Sequence, residues 1–306
     1  MLKTKHINMP KYCWGYKMFN NLITRLEAAS KDASFVAASE KIIKFIDNCD
    51  QFVEIVKQIG TIPERLDHDS TEEKLFAKAS DAVLARTLRE IGLTATVLTE
   101  RGDSADVIAK SRIHGYTLAA DAKSFRMSRT AKNQKDFKVT ALSGWRKDND
   151  FAILCAPYFQ YPRVSSQIYS QAISENVCLI SWEHLVFLLE NNIRETEKTN
   201  FFSIWNFSNE HSKTCTVAAS KECFIGSFNQ KFMEFTGCGQ ETLLQHFDNQ
   251  IQSIQSRGIS EKEYWERRKA EIQGYTREQA IQELVESLKI DGKIGQIESY
   301  IRGLRL

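Results

Sequence analysis

"RGDSADVIAKSRIHGYTLAADAKSFRMSR", residues 101–129, contains two short apolar runs, and each holds a carboxylate where a strand favours an apolar or β-branched residue. Suppose that the runs from Ala105 and from Tyr116 are neighbouring antiparallel strands joined through "SRIHG", a loop of ordinary hairpin length. Directly opposed residues then keep a constant sum of residue numbers, and a loop centred between Ile113 and His114 sets Asp106 against Asp121. Opposed Cβ atoms lie about 4.5–5.5 Å apart, and like charges placed there repel. A divalent cation relieves that repulsion: Mg²⁺ takes oxygen ligands and commonly binds one or two carboxylates with water and substrate phosphate. Alternation puts Lys123 on the Asp121 face and turns the Ala122 side chain to the other, leaving the Ala122 carbonyl as a further metal ligand. Such a platform suits phosphodiester hydrolysis, in which a metal polarises the phosphoryl oxygen and a lysine stabilises developing charge or orients the attacking water. The plainer alternative is two solvated aspartates at a strand edge with an incidental lysine.

The residues that follow favour the platform. From Lys123 to Lys147 there are eight basic residues and one acid, Asp136, a local charge of +7 in a chain of formal net charge +2. A basic strip beside an acidic metal platform reads as a phosphate-binding surface. Its candidate DNA contacts are Arg126, Arg129, Lys132, Lys135 and Lys138, with Asn133 and Gln134 as side chains able to read adenine in the major groove.

Outward from this stretch the pattern is that of an α/β protein. "LTATVLT", "ADVIA", "YTLAADAK", "FAILCAP" and "VCLIS" are short runs rich in β-branched and other apolar residues, separated by turns or helical segments. They predict a central mixed sheet of about five strands flanked by helices. Before it, apolar spacing from Phe19 to Ile59 predicts a helical hairpin, and "STEEKLFAKASDAVLARTLREIG" predicts one long helix opened by Ser70 and Glu73 in capping-box spacing and ending near Gly92. From Ser181 onward the chain reads as mostly helical, with N-terminal capping spacings at Ser260/Glu263 and Thr276/Gln279 and breaks at Gly258, Gly274 and Gly292. The expected organisation is a disordered N-terminal extension over 1–17, then a single domain over 18–306, with a nuclease core at about 70–192 and a helical region at about 193–306.

At 306 residues the chain can bury a core without staples, and its seven cysteines are odd in number, scattered and free of any C-x-x-C pair. Neither a disulfide framework nor a zinc ribbon is indicated, and a cytoplasmic home is expected. No run approaches the roughly 20 apolar residues of a membrane span, and the opening residues, which lack an apolar centre, are not expected to act as a signal peptide. Six histidines without metal-ligand spacing argue against a zinc hydrolase, and the absence of G-x-x-x-x-G-K-[ST] and G-x-G-x-x-G argues against nucleotide-driven chemistry.

"DVIA" followed by "ADAKSFRMSRTAKNQKDFKV", then "ALSGWR" and "PYFQYP", closely resembles the HindIII-type restriction endonucleases, and Asp106, Asp121 and Lys123 resemble the core of the wider PD-(D/E)xK nuclease superfamily. The likeness runs from about Ile42 to the C-terminus. It implies a homodimeric, Mg²⁺-dependent type II endonuclease that cuts duplex DNA at AAGCTT between the two adenines, leaving 5′ overhangs, with a companion DNA methyltransferase. Asp106 and Asp121 match the metal-binding acids and Lys123 the catalytic lysine, while Ala105 stands where the superfamily name has proline. Glu73 matches the place where many such nucleases bring an extra acid, with Glu100 and Asp103 as competitors. The alternatives are a structure-selective or repair nuclease on the same core, which is the runner-up, and a non-catalytic DNA-binding protein, against which the intact Asp106, Asp121 and Lys123 argue.

Overall fold

The alternation in the opening stretch produces the expected hairpin. In a computed structural model describing residues 16–98, 104–129, 134–162 and 166–303, five strands form one sheet: β1 (Thr94–Val97), β2 (Val107–Lys110), β3 (Thr117–Ala122), β4 (Phe151–Ala156) and β5 (Val177–Ser181). Their spatial order follows the sequence. β1, β2 and β3 are antiparallel; β4 and β5 continue parallel to β3. The register pairs Val107 with Ala120 and Lys110 with Thr117, as a loop centred between Ile113 and His114 requires. Asp106 lies one residue ahead of β2, where its carbonyl accepts from Leu98 N–H at 2.8 Å. β4 and β5 are buried at every position, which is why they read as unbroken apolar runs.

Before the sheet come α1 (Lys17–Ala29), α2 (Phe35–Asp47), α3 (Phe52–Ile59) and α4 (Thr71–Glu90). The segment expected as a hairpin is thus three helices, because residues 30–34 and 48–51 each interrupt the helical backbone. Lys17 already belongs to α1, and Tyr16 Oη donates to the Ser253 carbonyl at 2.9 Å; the rest of the expected extension lies outside the described residues. α4 packs on β1, β2 and β3. Between β3 and β4 lie α5 (Gln134–Phe137) and α6 (Val139–Trp145), and between β4 and β5 lies α7 (Ile168–Glu175). α6 contacts β3, β4 and β5.

The chain continues as α8 (Trp182–Glu190), α9 (Phe202–Trp205), α10 (Phe207–Ser212), α11 (Ser220–Thr236), α12 (Gln240–Gln273), α13 (Arg277–Ser287) and α14 (Ile290–Gly303). Two helix boundaries differ from expectation. α12 runs through Gly258 and Ser260, whose hydroxyl bonds back to the Ser256 carbonyl rather than capping a new helix, and Gly292 lies inside α14. Glycine weakens a helix interior by only about 1 kcal/mol, which long helices absorb. Thr276 and Gln279 do form a reciprocal capping box.

The chain packs as two compact units, Met1–Ile254 and Gln255–Leu306. The second has little interior of its own; α13 buries no residue. Trp182 and Trp205 are packing residues of the first unit, whereas Trp265 is exposed. Among the described residues no helix is long and apolar enough to cross a membrane.

Candidate active site

α4 brings a third carboxylate to the pair expected on the sheet. Ser70 Oγ accepts from Glu73 N–H at 3.1 Å and caps the helix, while Leu75, Phe76, Ala79, Ala82 and Val83 bury its inner side. Asp81 lies on that side, buried like them. Carboxylate oxygens of Asp81, Asp106 and Asp121 all lie within 4.8 Å of one another. The Asp121 side chain is 2% exposed and that of Asp106 is 39% exposed, so the cluster opens to solvent on the Asp106 side.

Two ammonium groups attend the three acids. Lys123 forms an ion pair with Asp121, on the face that alternation assigns to both. Lys78, three residues before Asp81 on α4, places Nζ 2.9 Å from Asp106 Oδ1 and 3.4 Å from Asp81 Oδ2. Burial would lower the Lys78 pKa, but the charges of Asp81 and Asp106 outweigh it and raise it. Burial pushes the Asp81 carboxyl well above the usual range, with the charge of Asp106 adding and Lys78 opposing. Asp121 is also raised by burial, against the opposing charge of Lys123. One negative charge remains in excess when all five groups are ionised. That excess, held by converging oxygen donors with one open side, fits a hard divalent cation.

Lys123 is fixed by its backbone. Its N–H donates to the Cys155 carbonyl at 2.7 Å, and its own carbonyl accepts from Trp182 Nε1 at 3.0 Å. Gly60 lets the indole lie there: a Cβ on Gly60 would meet Trp182 Cδ1 at 2.8 Å and Pro157 Cγ at 3.0 Å. Gly60→Ala is therefore expected to destabilise the protein by about 1–3 kcal/mol and to slow cleavage by moving the Lys123 carbonyl's donor. Urea unfolding beside a cleavage assay checks both, and unchanged values in both would remove Gly60 from the support of the site.

Glu73, the acid expected from this helix, is not in the cluster. Its Oε2 accepts from Asp69 N–H at 2.8 Å, and its Oε1 faces Arg126 Nη2 at 2.7 Å. Burial opposes its ionisation, but the Asp69 N–H, Arg126 and His68 together hold its pKa below the usual range. The α4 acid that joins Asp106 and Asp121 is Asp81, eight residues and so about 12 Å further along the helix axis. Glu100 and Asp103 lie outside the described residues, as do Lys132 and Asn133.

The basic strip divides into two kinds of residue. Arg126 is half-buried, tied to Glu73 and to the Pro63 carbonyl at 3.0 Å, and so holds the segment after β3 against the turn before α4. Arg129 is ion-paired with Asp136. Gln134, Lys135 and Lys138 are exposed, with Lys138 in the left-handed region at φ 52° and its Nζ 5.8 Å from the centre of the Trp145 ring. The charge of Lys138 reaches Asp121 and favours its ionised form. Ala122 pairs with Cys155 in the β3–β4 ladder.

Comparison with known proteins agrees with this architecture. The model of the HindIII restriction endonuclease family matches residues 21–301. The chain belongs to that family. It is 45% identical over 273 residues to the type II restriction enzyme HindIII of Haemophilus influenzae, covering 89% of this chain and 91% of that enzyme. Asp81, Asp106, Asp121 and Lys123 all fall inside the family match. Asp81 and Lys78 are the two site residues that strand alternation could not reveal.

Proposed function

We propose that the chain is a Mg²⁺-dependent type II endonuclease acting as a homodimer on duplex DNA at AAGCTT, cutting between the two adenines to leave 5′ overhangs. The observation that carries the reading is the convergence of Asp81, Asp106 and Asp121 beside Lys123, in a member of a restriction endonuclease family. Asp106, Asp121 and the Ala122 carbonyl hold the metal, and Asp81 completes the carboxylate set. Bound there, Mg²⁺ supplies Lewis-acid polarisation of the phosphate and a lowered pKa for the attacking water. Lys123 sits where its ammonium can orient that water or stabilise charge as it builds on the phosphate. Lys78 balances the acids Asp81 and Asp106 and keeps both carboxylates aimed inward.

Arg129, Lys132, Asn133, Gln134, Lys135 and Lys138 form the proposed DNA surface, and Arg126 supports it from beneath. Lys138→Ala is expected to weaken binding to every duplex and to flatten the log–log salt dependence by about 0.9 for each phosphate that the variant no longer neutralises. Relaxed sequence preference with an unchanged slope would instead make Lys138 a base reader.

A symmetric cut at a palindrome needs two symmetry-related sites. Within the second unit, Ile281 and Leu284 on α13, Leu288 at its C-terminal cap, and Ile294, Ile297 and Ile301 on α14 recur at helical spacing and are 49–60% exposed, which supports association with a second copy. A cytoplasmic location and a methyltransferase that protects the same hexamer complete the proposed restriction system. Digestion of DNA of known sequence, with ends mapped and the mass of the free and DNA-bound protein measured by light scattering, tests the reading. Ends at another hexamer overturn the site; general degradation favours a repair or structure-selective nuclease; binding without cutting favours a non-catalytic protein; a monomer on cognate DNA overturns the dimer.

A further inference from the structure

The two ammonium groups at the carboxylate cluster are held in unlike ways. Lys123 sits on backbone fixed from both sides, by the Cys155 carbonyl and the Trp182 indole. Lys78 reaches the cluster from α4, three residues before Asp81 and so on the same side of the helix. Its ammonium bridges two carboxylates, 2.9 Å from Asp106 Oδ1 and 3.4 Å from Asp81 Oδ2. Asp106 is the most open of the three acids, so this ammonium stands on the side from which an ion and DNA must come. The Lys78 side chain is 26% exposed and also lines a cleft of ≈ 630 Å³ with Ser30, Asp32, Thr71 and Lys74 among others, which leaves it room to swing.

Charge balance sets when it must. Asp81, Asp106 and Asp121 against Lys123 alone leave two negative charges, the complement of one divalent cation. With Lys78 kept on its carboxylates, the same ion would make the site net positive. Ion and ammonium would then compete for the oxygens of Asp81 and Asp106 while repelling each other. A phosphodiester brings one further negative charge. Ion, phosphate and both ammonium groups then balance the three acids, provided that the Lys78 ammonium passes from the carboxylates to the phosphate.

We infer, resting on the proposed metal reading of the cluster, that Lys78 is a tethered rival of the metal. Its ammonium holds the Asp81 and Asp106 oxygens against a divalent ion and yields them when DNA offers a phosphate oxygen in exchange. No covalent bond is made or broken; one ion pair is traded for another. Metal binding is thereby made dependent on DNA. A structural brace would behave in the opposite sense: removing a brace loosens the carboxylates and weakens ion binding, whereas removing a rival strengthens it.

The test is a calorimetric titration of Ca²⁺ into the full chain, stripped with chelator, with and without a short duplex carrying AAGCTT. Without DNA, Lys78→Met is expected to bind the ion about tenfold or more tightly than the wild type, the scale on which one neighbouring charge moves the occupancy of a site. Lys78→Arg keeps the charge and is expected to stay within a few-fold of the wild type. Linkage is reciprocal, so Ca²⁺ is expected to tighten DNA binding by a larger factor in the wild type than in Lys78→Met. The wild type also gives a reading that needs no variant. Acetylation of Lys78 by acetic anhydride, mapped by mass spectrometry against Lys213 of the Glu210 pair on α10, is expected to rise several-fold at saturating Ca²⁺. Unchanged or weaker Ca²⁺ binding by Lys78→Met of native circular dichroism, or Lys78 acetylation that ignores the ion, would overturn the assignment alone. Ca²⁺ binding that Asp121→Asn leaves intact, or none by any of these proteins with or without DNA, would sink the metal reading and this inference with it.

Discussion

Replacing Lys123 by alanine is expected to lower the rate of DNA cleavage in Mg²⁺ by about 10²–10³-fold, the usual loss when one group that stabilises developing charge is removed. Binding of metal and of DNA changes little, because the ammonium matters most as charge builds on the phosphate or the attacking water. Asp106→Asn and Asp121→Asn are expected to abolish cleavage and weaken metal binding together, since each removes a charged ligand of the proposed metal site. Both variants should also hold DNA more tightly in chelator, where the native carboxylates repel phosphate with no cation between them. Asp81→Asn separates the site from its neighbour on α4: it weakens metal binding, whereas Glu73→Gln loses the charge of the Arg126 pair and leaves cleavage within a few-fold. Ca²⁺, with its longer and less regular coordination, is expected to support specific binding with little cutting by the unmodified protein. Cleavage rate and DNA affinity measured side by side in Mg²⁺, Ca²⁺ and chelator decide the matter. Near-normal cutting by Lys123→Ala or by either Asn variant moves the active site elsewhere.

Acidification from pH 7.5 to pH 5 is expected to remove about 2 kcal/mol of stability through His184 alone. The ring is buried among Tyr158, Phe228, Phe232 and Phe247, with Nδ1 2.8 Å from Ser181 Oγ and Nε2 3.1 Å from Asn229 Oδ1. Both nitrogens are satisfied in the neutral form that carries its proton on Nε2. Burial lowers its pKa from 6.5 to about 3, with Asn229 partly opposing. The folded protein therefore leaves the ring neutral where the unfolded chain protonates it. Stability from this group is whole above about pH 6.5 and drains away as the pH falls toward about 3. Asp81, Asp121 and Glu183, whose pKa values burial raises, act in the opposite sense, because the folded state keeps their protons to higher pH. Urea unfolding of the wild type and of His184→Gln at both pH values isolates the histidine by difference. Equal losses in the two proteins would show that the imidazole carries none of the acid sensitivity.

The strands were legible as short runs rich in apolar and β-branched residues, unbroken in β4 and β5 because both faces are buried, and loop length then fixed the register of β2 on β3. The third acid was not legible in the same way. Asp81 and Glu73 both lie on α4, and first-turn acids such as Glu72 and Glu73 are favoured by the helix dipole whatever else they do. A local signal did exist: in "FAKASDAVLA" Asp81 stands among residues that are apolar apart from Lys78 and Ser80, where a buried charge demands a partner. Lys78 within the same stretch is that partner. The part played by Arg126 was hidden for another reason, since its acid comes from fifty-three residues earlier in the chain and charge counting cannot tell an internal tie from a phosphate contact.

β3 is hydrogen-bonded to a neighbour on both sides, and it carries Asp121. Asp106 stands instead just ahead of β2, next to the four-residue edge strand β1. Amide hydrogens along β3 and β4 are expected to trade with deuterium only when the whole core opens, and those around Asp106 and β1 through local fraying. The carboxylate pair thus straddles two clocks, one wall that holds for the lifetime of the fold and one that breathes. In the proposed endonuclease, ion entry and product departure would be timed by the faster clock, without loosening Asp121.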